Sequence, residues 1–263
     1  MRLSGARVLL TGATGGLGEA IARELAARGA KLVLTGRRAE VLEPLAVELS
    51  AETVVADLAK RSDLNRLVSQ AGEVDVLVAN AGMPASGRVG EFNVTQLDRT
   101  IDVNLVAPIL LARALSEGMV RRRRGHIVMV GSVASVIASP GASVYCATKF
   151  GLRGFAHGLR QDLAGSGVGV SVVLPWFIRG AGMFARAGVR LPSGLRTSTP
   201  GDVAAGVVRA IERNRMEVVV APPEVRPAVL LGGAAPGILA MIQSRAGAAK
   251  LTARLARGRR GKQ

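Results

Sequence analysis

The hydrophobic positions of this chain form short apolar runs that alternate with longer segments of mixed polarity. Short, nearly continuous apolar runs are typical of strands that are buried on both faces of a parallel sheet. Seven such runs are predicted as strands: Ala6–Leu10, Lys31–Thr35, Thr53–Ala56, Asp75–Ala79, His126–Val130, Val168–Leu174 and Glu217–Ala221.

Between these runs, apolar residues recur at the spacing of one helix face. The predicted helices are Glu19–Arg28, Val41–Leu49, Val94–Ala107 continuing through Leu105–Val120, Tyr145–Ala164 and Gly201–Arg213. Alternating strands and helices are typical of α/β proteins with helices on both faces of a parallel sheet. We therefore predict a three-layer, doubly wound (Rossmann) sheet of about seven strands.

The predicted pattern covers residues 1–221, which we expect to form one cofactor-binding and catalytic domain. Residues 222–263 differ, since an apolar stretch is followed by the basic segment Ala248–Arg260. We expect this extension to be helical and to pack on the same domain or on a partner subunit. A basic amphipathic helix making weak contact with a membrane surface is the alternative. The apolar run Pro227–Ile242 contains Pro236 and is shorter than the ~20 residues of a spanning helix.

The net charge of +16 raises nucleic acid or an anionic membrane as partners. Much of this charge lies in Arg121–Arg124 and in Arg245–Lys262. Aromatic residues make up only 3% of the chain, so platforms for base stacking are scarce and we expect no nucleic-acid partner. Arg121–Arg124 follow a predicted helix, where basic side chains complement the negative end of the helix dipole.

Cysteine usage points to a reducing compartment. The single cysteine, Cys146, excludes an internal disulfide and a cysteine metal cluster, and we expect no metal site. The N-terminal residues show no signal-peptide pattern. We therefore expect a cytoplasmic protein.

A glycine-rich turn follows the first predicted strand and opens the first helix. It contains Gly12, Gly16 and Gly18, together with Thr14, Gly15 and Leu17. Glycines here let the backbone approach a pyrophosphate, and the helix N-terminus supplies amide donors for phosphate. The strand, turn and helix together predict a dinucleotide site.

The second predicted strand ends in Gly36-Arg37-Arg38. An acidic residue here commonly binds the ribose 2′-hydroxyl of NAD, and none is present. Two guanidinium groups are suited to a 2′-phosphate. We therefore expect NADP(H) to be preferred over NAD(H), while a solvated start to the next helix is the alternative.

Further polar residues follow the other predicted strands. Asp57, with Leu58 beside it, ends the third strand and either contacts an adenine amino group or caps the next helix. Asn80-Ala81-Gly82 follows the fourth strand, where ligands of an open parallel sheet bind. Asn104 lies within a largely apolar helix, where its amide needs partners and is either structural or holds water.

Tyr145 and Lys149 are spaced four residues apart, so they lie on one face of a predicted helix. A nearby ammonium favours phenolate and lowers the tyrosine pKa from about 10. A phenol tuned towards neutral pH is a usable proton donor or acceptor. Tyr145 is the only tyrosine in the chain.

Taken together, these motifs resemble the short-chain dehydrogenase/reductase family across about residues 5–221. The resemblance implies that Asn104, Ser132, Tyr145 and Lys149 form the catalytic tetrad. It also implies that Asp57 contacts the adenine, and that Arg37 corresponds to the basic residue found in members that prefer NADP. The remaining implied cofactor contacts are Gly12, Thr14, Gly15, Gly16, Leu17, Gly18, Arg38, Leu58, Asn80, Ala81, Gly82, Tyr145, Lys149, Pro175 and Trp176.

The chain departs from the family pattern after the sixth predicted strand. Members usually have Pro-Gly there, and this chain has Pro175-Trp176. The indole would lie near the nicotinamide and narrow or reshape the pocket, or impair cofactor docking. A threonine that often contacts the carboxamide has no clear counterpart near Arg179 and Gly180.

The segment from Phe177 to Pro200 is rich in Gly, Arg and Ser and is expected to cover the substrate. The expected substrate contacts are Ser132, Trp176, Phe177, Met183 and Phe184. The function predicted is NADPH-dependent reduction of an apolar carbonyl compound, or oxidation of the matching alcohol, and the family resemblance implies a homo-oligomer, either a dimer or a tetramer. The alternatives are a non-catalytic NADP-binding sensor or scaffold, and a membrane-surface reductase of lipid-like carbonyls.

Overall fold

The structure, a computed structural model, describes residues 1–181, 196–238 and 241. The predicted substrate contacts Met183 and Phe184 and the basic end of the C-terminal extension lie outside these residues. For them the sequence predictions stay predictions.

The described chain contains a parallel sheet of seven strands in the order β3-β2-β1-β4-β5-β6-β7. Its strands are β1 (Arg7–Thr11), β2 (Lys31–Gly36), β3 (Glu52–Val55), β4 (Val76–Ala79), β5 (Gly125–Val130), β6 (Val168–Pro175) and β7 (Glu217–Val220). The order reverses between β1 and β4, which is the switch point where ligands bind in such sheets. The predicted fold class is confirmed, and each strand lies within one residue of its predicted bounds.

The helices of the described chain connect these strands or, in the case of the last helix, follow them. They are α1 (Gly16–Ala27), α2 (Ala39–Leu49), α3 (Arg61–Ala71), α4 (Val94–Ile101), α5 (Ala107–Arg121), α6 (Ser143–Asp162), α7 (Pro200–Glu212) and α8 (Arg226–Ala234). Helix α1 begins inside the glycine-rich turn, three residues before the predicted start at Glu19. Glycine is a poor helix former, so local propensity alone sets this boundary too late.

Two cores flank the sheet and explain the three layers. One core joins the sheet to α3, α5 and α6, through residues such as Leu67, Leu111 and Leu152. The other joins it to α1, α2 and α7, through residues such as Leu25 and Val207. Strand residues alternate between the two cores because successive side chains point to opposite faces.

Helices α4 and α5 form one continuous helix from Val94 to Arg121, joined by a π-helical turn at Asp102–Val106. By length and composition this helix could cross a membrane. Its residues Leu111, Leu115 and Met119 are buried in the core, however, and a core helix meets the same criterion. The π turn is the feature that matters for the site, because it contains Asn104.

The arginine run after α5 makes specific contacts with neighbouring elements. Arg121 pairs with Glu117, and Arg122 pairs with Glu73 and donates to the carbonyl of Val74. Arg123 donates to the carbonyl of Gly165, and Arg124 pairs with Asp75. The run therefore connects the α5–β5 turn to the surrounding chain, beyond the helix-dipole role predicted for it.

The first part of the predicted C-terminal extension packs on the domain. Val225 and Val229 of this region are about 5% exposed and belong to the core that contains α5 and α6. Leu230 is 76% exposed on the opposite side of α8. The described part of the extension is therefore continuous with the main core.

His126, in β5, is expected to make the protein less stable in mild acid. Burial, with smaller effects from the positive amino terminus and Arg160, lowers the pKa of His126 to about 3. The folded state then keeps this ring neutral, while the unfolded chain protonates it below about pH 6.5. Stability should therefore fall as pH drops from about 6.5, by up to roughly 1.4 kcal/mol per unit.

Urea denaturation at several pH values between about 4.5 and 6.5 measures the free energy of unfolding as a function of pH. This range lies above the pH at which titration of carboxylates dominates the change in stability. The Nε2 atom of His126 lies 2.8 Å from Ser171 Oγ, and a glutamine at this position can keep a hydrogen bond to that hydroxyl. His126→Gln should flatten the dependence of unfolding free energy on pH, and His157→Gln should leave the His126 contribution in place. An unchanged slope in His126→Gln would contradict the assignment.

Candidate active site

The glycine-rich turn between β1 and α1 is shaped by close backbone contacts. Gly12 has φ +68°, and a Cβ there would lie 2.8 Å from Ala81 Cα. A Cβ on Gly18 would lie 2.1 Å from the carbonyl oxygen of Gly12. Both positions therefore require glycine, and the turn folds tightly back on itself against the loop after β4.

The N-terminus of α1 is suited to an anion. Its N-cap is Gly15, and no side chain caps it in the described chain. The first amides of a helix have no intrahelical acceptor, and the helix dipole places partial positive charge there. Thr14 and Leu17 are half-buried beside it and Gly16 is exposed. These features fit the pyrophosphate of a dinucleotide, as the sequence predicted.

The two arginines after β2 have different surroundings. The Arg38 guanidinium donates from Nη2 to the carbonyl oxygen of Thr14, 2.6 Å away, and so braces the glycine-rich turn. Arg37 is exposed, and its charge helps to lower the pKa of Asp57. Both arginines are exposed, but the Arg38 guanidinium is hydrogen-bonded to the turn, whereas the charge of Arg37 acts on Asp57 beside the end of β2.

Asp57 lies in the loop after β3 and is held by several contacts. Its Oδ2 is 2.7 Å from Arg99 Nη2, and its Oδ1 accepts from the amide of Ala59. Burial raises the Asp57 pKa, but these hydrogen bonds outweigh it and the net pKa is lowered. The N-cap of α3 is Lys60, so the capping alternative predicted for Asp57 is wrong. Leu58 is buried beside it.

Asn80, Ala81 and Gly82 lie at the end of β4, directly against the glycine-rich turn. Asn80 Nδ2 donates to the carbonyl oxygens of Thr11 and Gly12 at 3.0 and 3.2 Å. The amides of Asn80 and Ala81 both donate to Thr11 Oγ1 at 3.0 Å. A Cβ on Gly82 would lie 3.6 Å from Asn104 Oδ1 and 3.7 Å from Lys149 Nζ. This loop therefore joins the nucleotide end of the site to its catalytic end.

Asn104 is fully buried in the π turn and supports that loop. Its Oδ1 accepts from the amide of Met83 at 2.6 Å, and its Nδ2 donates to the Met83 carbonyl at 2.8 Å. Nδ2 also lies 3.3 Å from Thr148 Oγ1, which donates to the carbonyl of Tyr145. Its amide thus has the partners that burial requires, and it connects the loop after β4 with α6.

Ser132 follows β5 and caps a short 3-10 turn, Val133–Ser135. Its Oγ accepts from the amide of Ala134 at 3.1 Å, and its own amide donates to Ser135 Oγ. A hydroxyl carries one donor as well as its lone pairs. The Ser132 O–H can therefore donate to an acceptor within the site.

Tyr145 and Lys149 lie one turn apart on α6, as predicted. Lys149 Nζ is 5.8 Å from the centroid of the Tyr145 ring and donates to the carbonyl of Val130 at 3.0 Å. Burial lowers the pKa of Lys149 to about 8. At neutral pH the lysine therefore remains mostly charged. The hydrogen bond to the Val130 carbonyl holds the Lys149 ammonium at the end of β5, and Val130 is two residues before Ser132.

Pro175 ends β6, and Trp176 and Phe177 follow it at the same edge of the sheet. The Trp176 and Phe177 rings meet edge to face, with centroids 4.7 Å apart. Beyond them the chain pairs with itself, since Arg179 donates to Ser198 and Ser198 donates to Phe177. Both ends of the segment 182–195, which lies outside the described residues, are thus held beside the site.

The structure brings the predicted tetrad residues to one end of the sheet through shared partners. Lys149 contacts the end of β5 before Ser132, and Thr148 connects Tyr145 with Asn104. Sequence reasoning missed Met83, Thr148 and Arg99. Met83 and Arg99 act on residues far away in sequence and carry no local signal. Thr148, between Tyr145 and Lys149, could have been noticed from its position.

Comparison of this sequence with protein-family models and with characterised proteins points to a single family. The model of the short chain dehydrogenase family matches residues 6–188. A ketoacyl reductase, HetN, from Nostoc sp. is 37% identical over 227 residues, covering 83% of this chain and 79% of that protein. A 3-oxoacyl-[acyl-carrier-protein] reductase from Rickettsia typhi is 34% identical, covering 67% of this chain and 74% of that protein.

Solved structures give the same result. A short-chain dehydrogenase from Sphingobium yanoikuyae, solved in complex with NADPH, superposes with a TM-score of 0.77 at 30% identity. That match covers 89% of this chain and 95% of the other. The likeness therefore extends beyond residues 6–188 of the family match.

Proposed function

The chain belongs to the short-chain dehydrogenase family of NAD(P)-dependent oxidoreductases, and from this premise we propose that it reduces a 3-oxoacyl thioester with NADPH. The observation that carries the chemistry is the buried Lys149 ammonium one helical turn from Tyr145. The substrate class is supported by relatives named ketoacyl and 3-oxoacyl reductases.

The cofactor, when bound, supplies a hydride to the substrate carbonyl. Tyr145 donates its phenolic proton to the oxygen of that carbonyl. The Lys149 ammonium favours the phenolate that remains, because an opposite charge nearby stabilises the charged form. The Ser132 O–H donates a hydrogen bond to the same oxygen and so stabilises the negative charge that grows there.

The other residues of the site hold these groups in position. Asn104 fixes Met83 and, through Thr148, the start of α6. We propose that it also supports the water-mediated path by which Tyr145 regains a proton. Asn80 and Thr11 hold the loop after β4 against the glycine-rich turn, where the pyrophosphate would bind.

Turnover and binding together test the proposal. The purified protein is titrated with NADPH and with NADH while the emission of Trp176, the only tryptophan, is followed. It is then given NADPH and acetoacetyl-N-acetylcysteamine, a small 3-oxoacyl thioester, and loss of NADPH absorbance is measured. Binding of NADPH with substrate-dependent oxidation supports the function. Binding without oxidation of this or related 3-oxoacyl thioesters would favour a different carbonyl substrate or a non-catalytic role.

Cofactor preference should depend on Arg37 rather than on Arg38. Arg37→Ala should weaken NADPH binding by roughly 10–100-fold, because a charge-assisted hydrogen bond to the 2′-phosphate is lost. NADH binding should be nearly unchanged in that variant. Arg38→Ala should weaken both cofactors, because Arg38 braces Thr14 in the shared pyrophosphate turn. Equal weakening of NADPH and NADH by Arg37→Ala would contradict this division.

A further inference from the structure

Trp176 follows β6 at the carboxyl edge of the sheet, the same edge at which Ser132 follows β5. In the parallel register of β5 and β6, Val130 is opposite Val173, and the amide of Gly131 donates to the Val173 carbonyl at 2.8 Å. Continuing this register places Ser132 opposite Pro175, next to Trp176. The Trp176 amide donates to Val220 at 3.0 Å, which fixes its backbone to β7.

The Trp176 side chain is on the face of the sheet that carries the catalytic helix. Val172 and Leu174 of β6 point into the core shared with α6, and alternation along the strand puts the next even position on that face. Trp176 packs against this same core, which also includes Val133 and Val136 of the segment after Ser132. The indole is therefore on the Tyr145 side of the site.

The indole N–H of Trp176 has no acceptor among the residues that the structure describes. Trp176 Nε1 is buried, and within the described chain it has no hydrogen-bond partner. Buried donors in folded proteins are nearly always paired, because an unpaired one loses its hydration without compensation. Phe177 packs on the indole edge to face, and an aromatic neighbour of this kind helps to hold the ring in its orientation. A buried donor that has no partner among the described residues, on the sheet edge that carries Ser132, is suited to an acceptor carried by a ligand.

We propose that Trp176 Nε1 donates a hydrogen bond to a second oxygen of the substrate, distinct from the carbonyl that is reduced. This inference rests on the proposed function and narrows its substrate class. The hydroxyls of Ser132 and Tyr145 already donate to the oxygen of the carbonyl that is reduced. The Trp176 donor therefore selects substrates that carry another acceptor close to that carbonyl. A 3-oxoacyl thioester has such an acceptor, since its C1 carbonyl is separated from the C3 carbonyl by one methylene. Trp176 is then a specificity-determining residue for 1,3-dicarbonyl substrates.

Two matched probes test this proposal. One is acetoacetyl-N-acetylcysteamine, and the other is the thioether ketone in which a methylene replaces its C1 carbonyl. The ratio of kcat/KM for the two probes is measured in the wild type, in Trp176→Phe and in Val136→Ala. Differences in intrinsic reactivity between the probes are the same for every enzyme and cancel when the ratios are compared.

We expect Trp176→Phe to lower this ratio by roughly tenfold, the factor that 1.4 kcal/mol represents and within the range of one hydrogen bond. Val136→Ala alters the core on which Trp176 packs but keeps the N–H, so the ratio should stay within about twofold of the wild-type value. Dissociation constants of the thioester from the enzyme–NADP⁺ complex, where no reduction occurs, should rise by about the same factor in Trp176→Phe.

A measurement on the wild type needs no variant. Because Trp176 is the only tryptophan, the indole absorption of the enzyme–NADP⁺ complex reports on its N–H. The thioester should shift this absorption to the red, as hydrogen bonding of an indole does, and the thioether ketone should not.

The contrary outcomes separate this inference from the proposed function. Reduction of both probes with the same ratio in wild type and Trp176→Phe would overturn the role of Trp176 and leave the reductase in place. Weaker NADPH binding in Trp176→Phe with an unchanged ratio would mean that the indole donates to the cofactor, which also overturns it. Absence of reduction of both probes by the wild type would instead count against the proposed function.

Discussion

Tyr145→Phe is expected to reduce kcat for carbonyl reduction by about 10²–10⁴-fold, the contribution typical of a positioned general acid. The change removes one hydroxyl and keeps the ring beside Lys149. NADPH affinity should stay within a few-fold, because the pyrophosphate turn and Arg37 are untouched. Single-turnover reduction under saturating NADPH, together with a cofactor titration, measures both quantities.

Ser143→Ala is the matched control for this variant. It removes an exposed hydroxyl from the same helix, two residues before Tyr145, and should leave kcat within about twofold. Turnover by Tyr145→Phe at the rate of this control would eliminate Tyr145 as the proton donor.

Lys149→Met should give the second largest loss, on the order of 10²-fold in kcat, because the charge that stabilises the phenolate disappears. Methionine preserves most of the buried volume, so the effect reports charge more than packing. Lys149→Arg, which keeps a positive charge, should retain more activity than Lys149→Met. Steady-state rates of the two variants at one pH make the comparison, and equal losses in both would show that geometry rather than charge matters.

The pH profile of Lys149→Met provides a second readout. In the wild type the reduction rate should fall as pH rises through the apparent pKa of the Tyr145–Lys149 pair, because the pair then lacks the proton to donate. Lys149 itself has a pKa lowered by burial to about 8. Without the ammonium, the decline in kcat/KM should move up towards the usual tyrosine pKa of about 10. If kcat/KM declines at the same pH in Lys149→Met as in the wild type, Lys149 does not lower the pKa of the Tyr145 phenol.

The strand predictions succeeded because buried parallel strands are encoded locally. Val76–Ala79 and Gly125–Val130 are buried at every position, so their apolar runs are visible without knowledge of their neighbours. Helix α3 is different, since Arg61–Ala71 is largely polar and only a few residues, such as Leu64 and Leu67, reach the core. Its extent was not predicted for that reason.

The candidate site was also predicted unevenly. The pair Tyr145 and Lys149 is a local pattern, because four residues span one helical turn. The loop contacts of Asn104 and the pairing of Arg99 with Asp57 join residues 21 and 42 positions apart, and nothing in either segment indicates the other. The segment that contains Met183 and Phe184 stays a prediction.

The sequence by itself determined the succession of strands and helices along the chain, the glycine positions of the nucleotide turn and the pairing of Tyr145 with Lys149 on one helix face. Each of these depends on residues close together in the chain, where spacing and residue type suffice. Only the tertiary structure decided that Arg38 donates to Thr14 in the turn, and that Lys149 is buried enough to lower its pKa. It alone also showed that the buried Trp176 N–H has no acceptor among the described residues. Burial and hydrogen-bond partners arise from contacts between distant segments, so they depend on how the sheet brings those segments together.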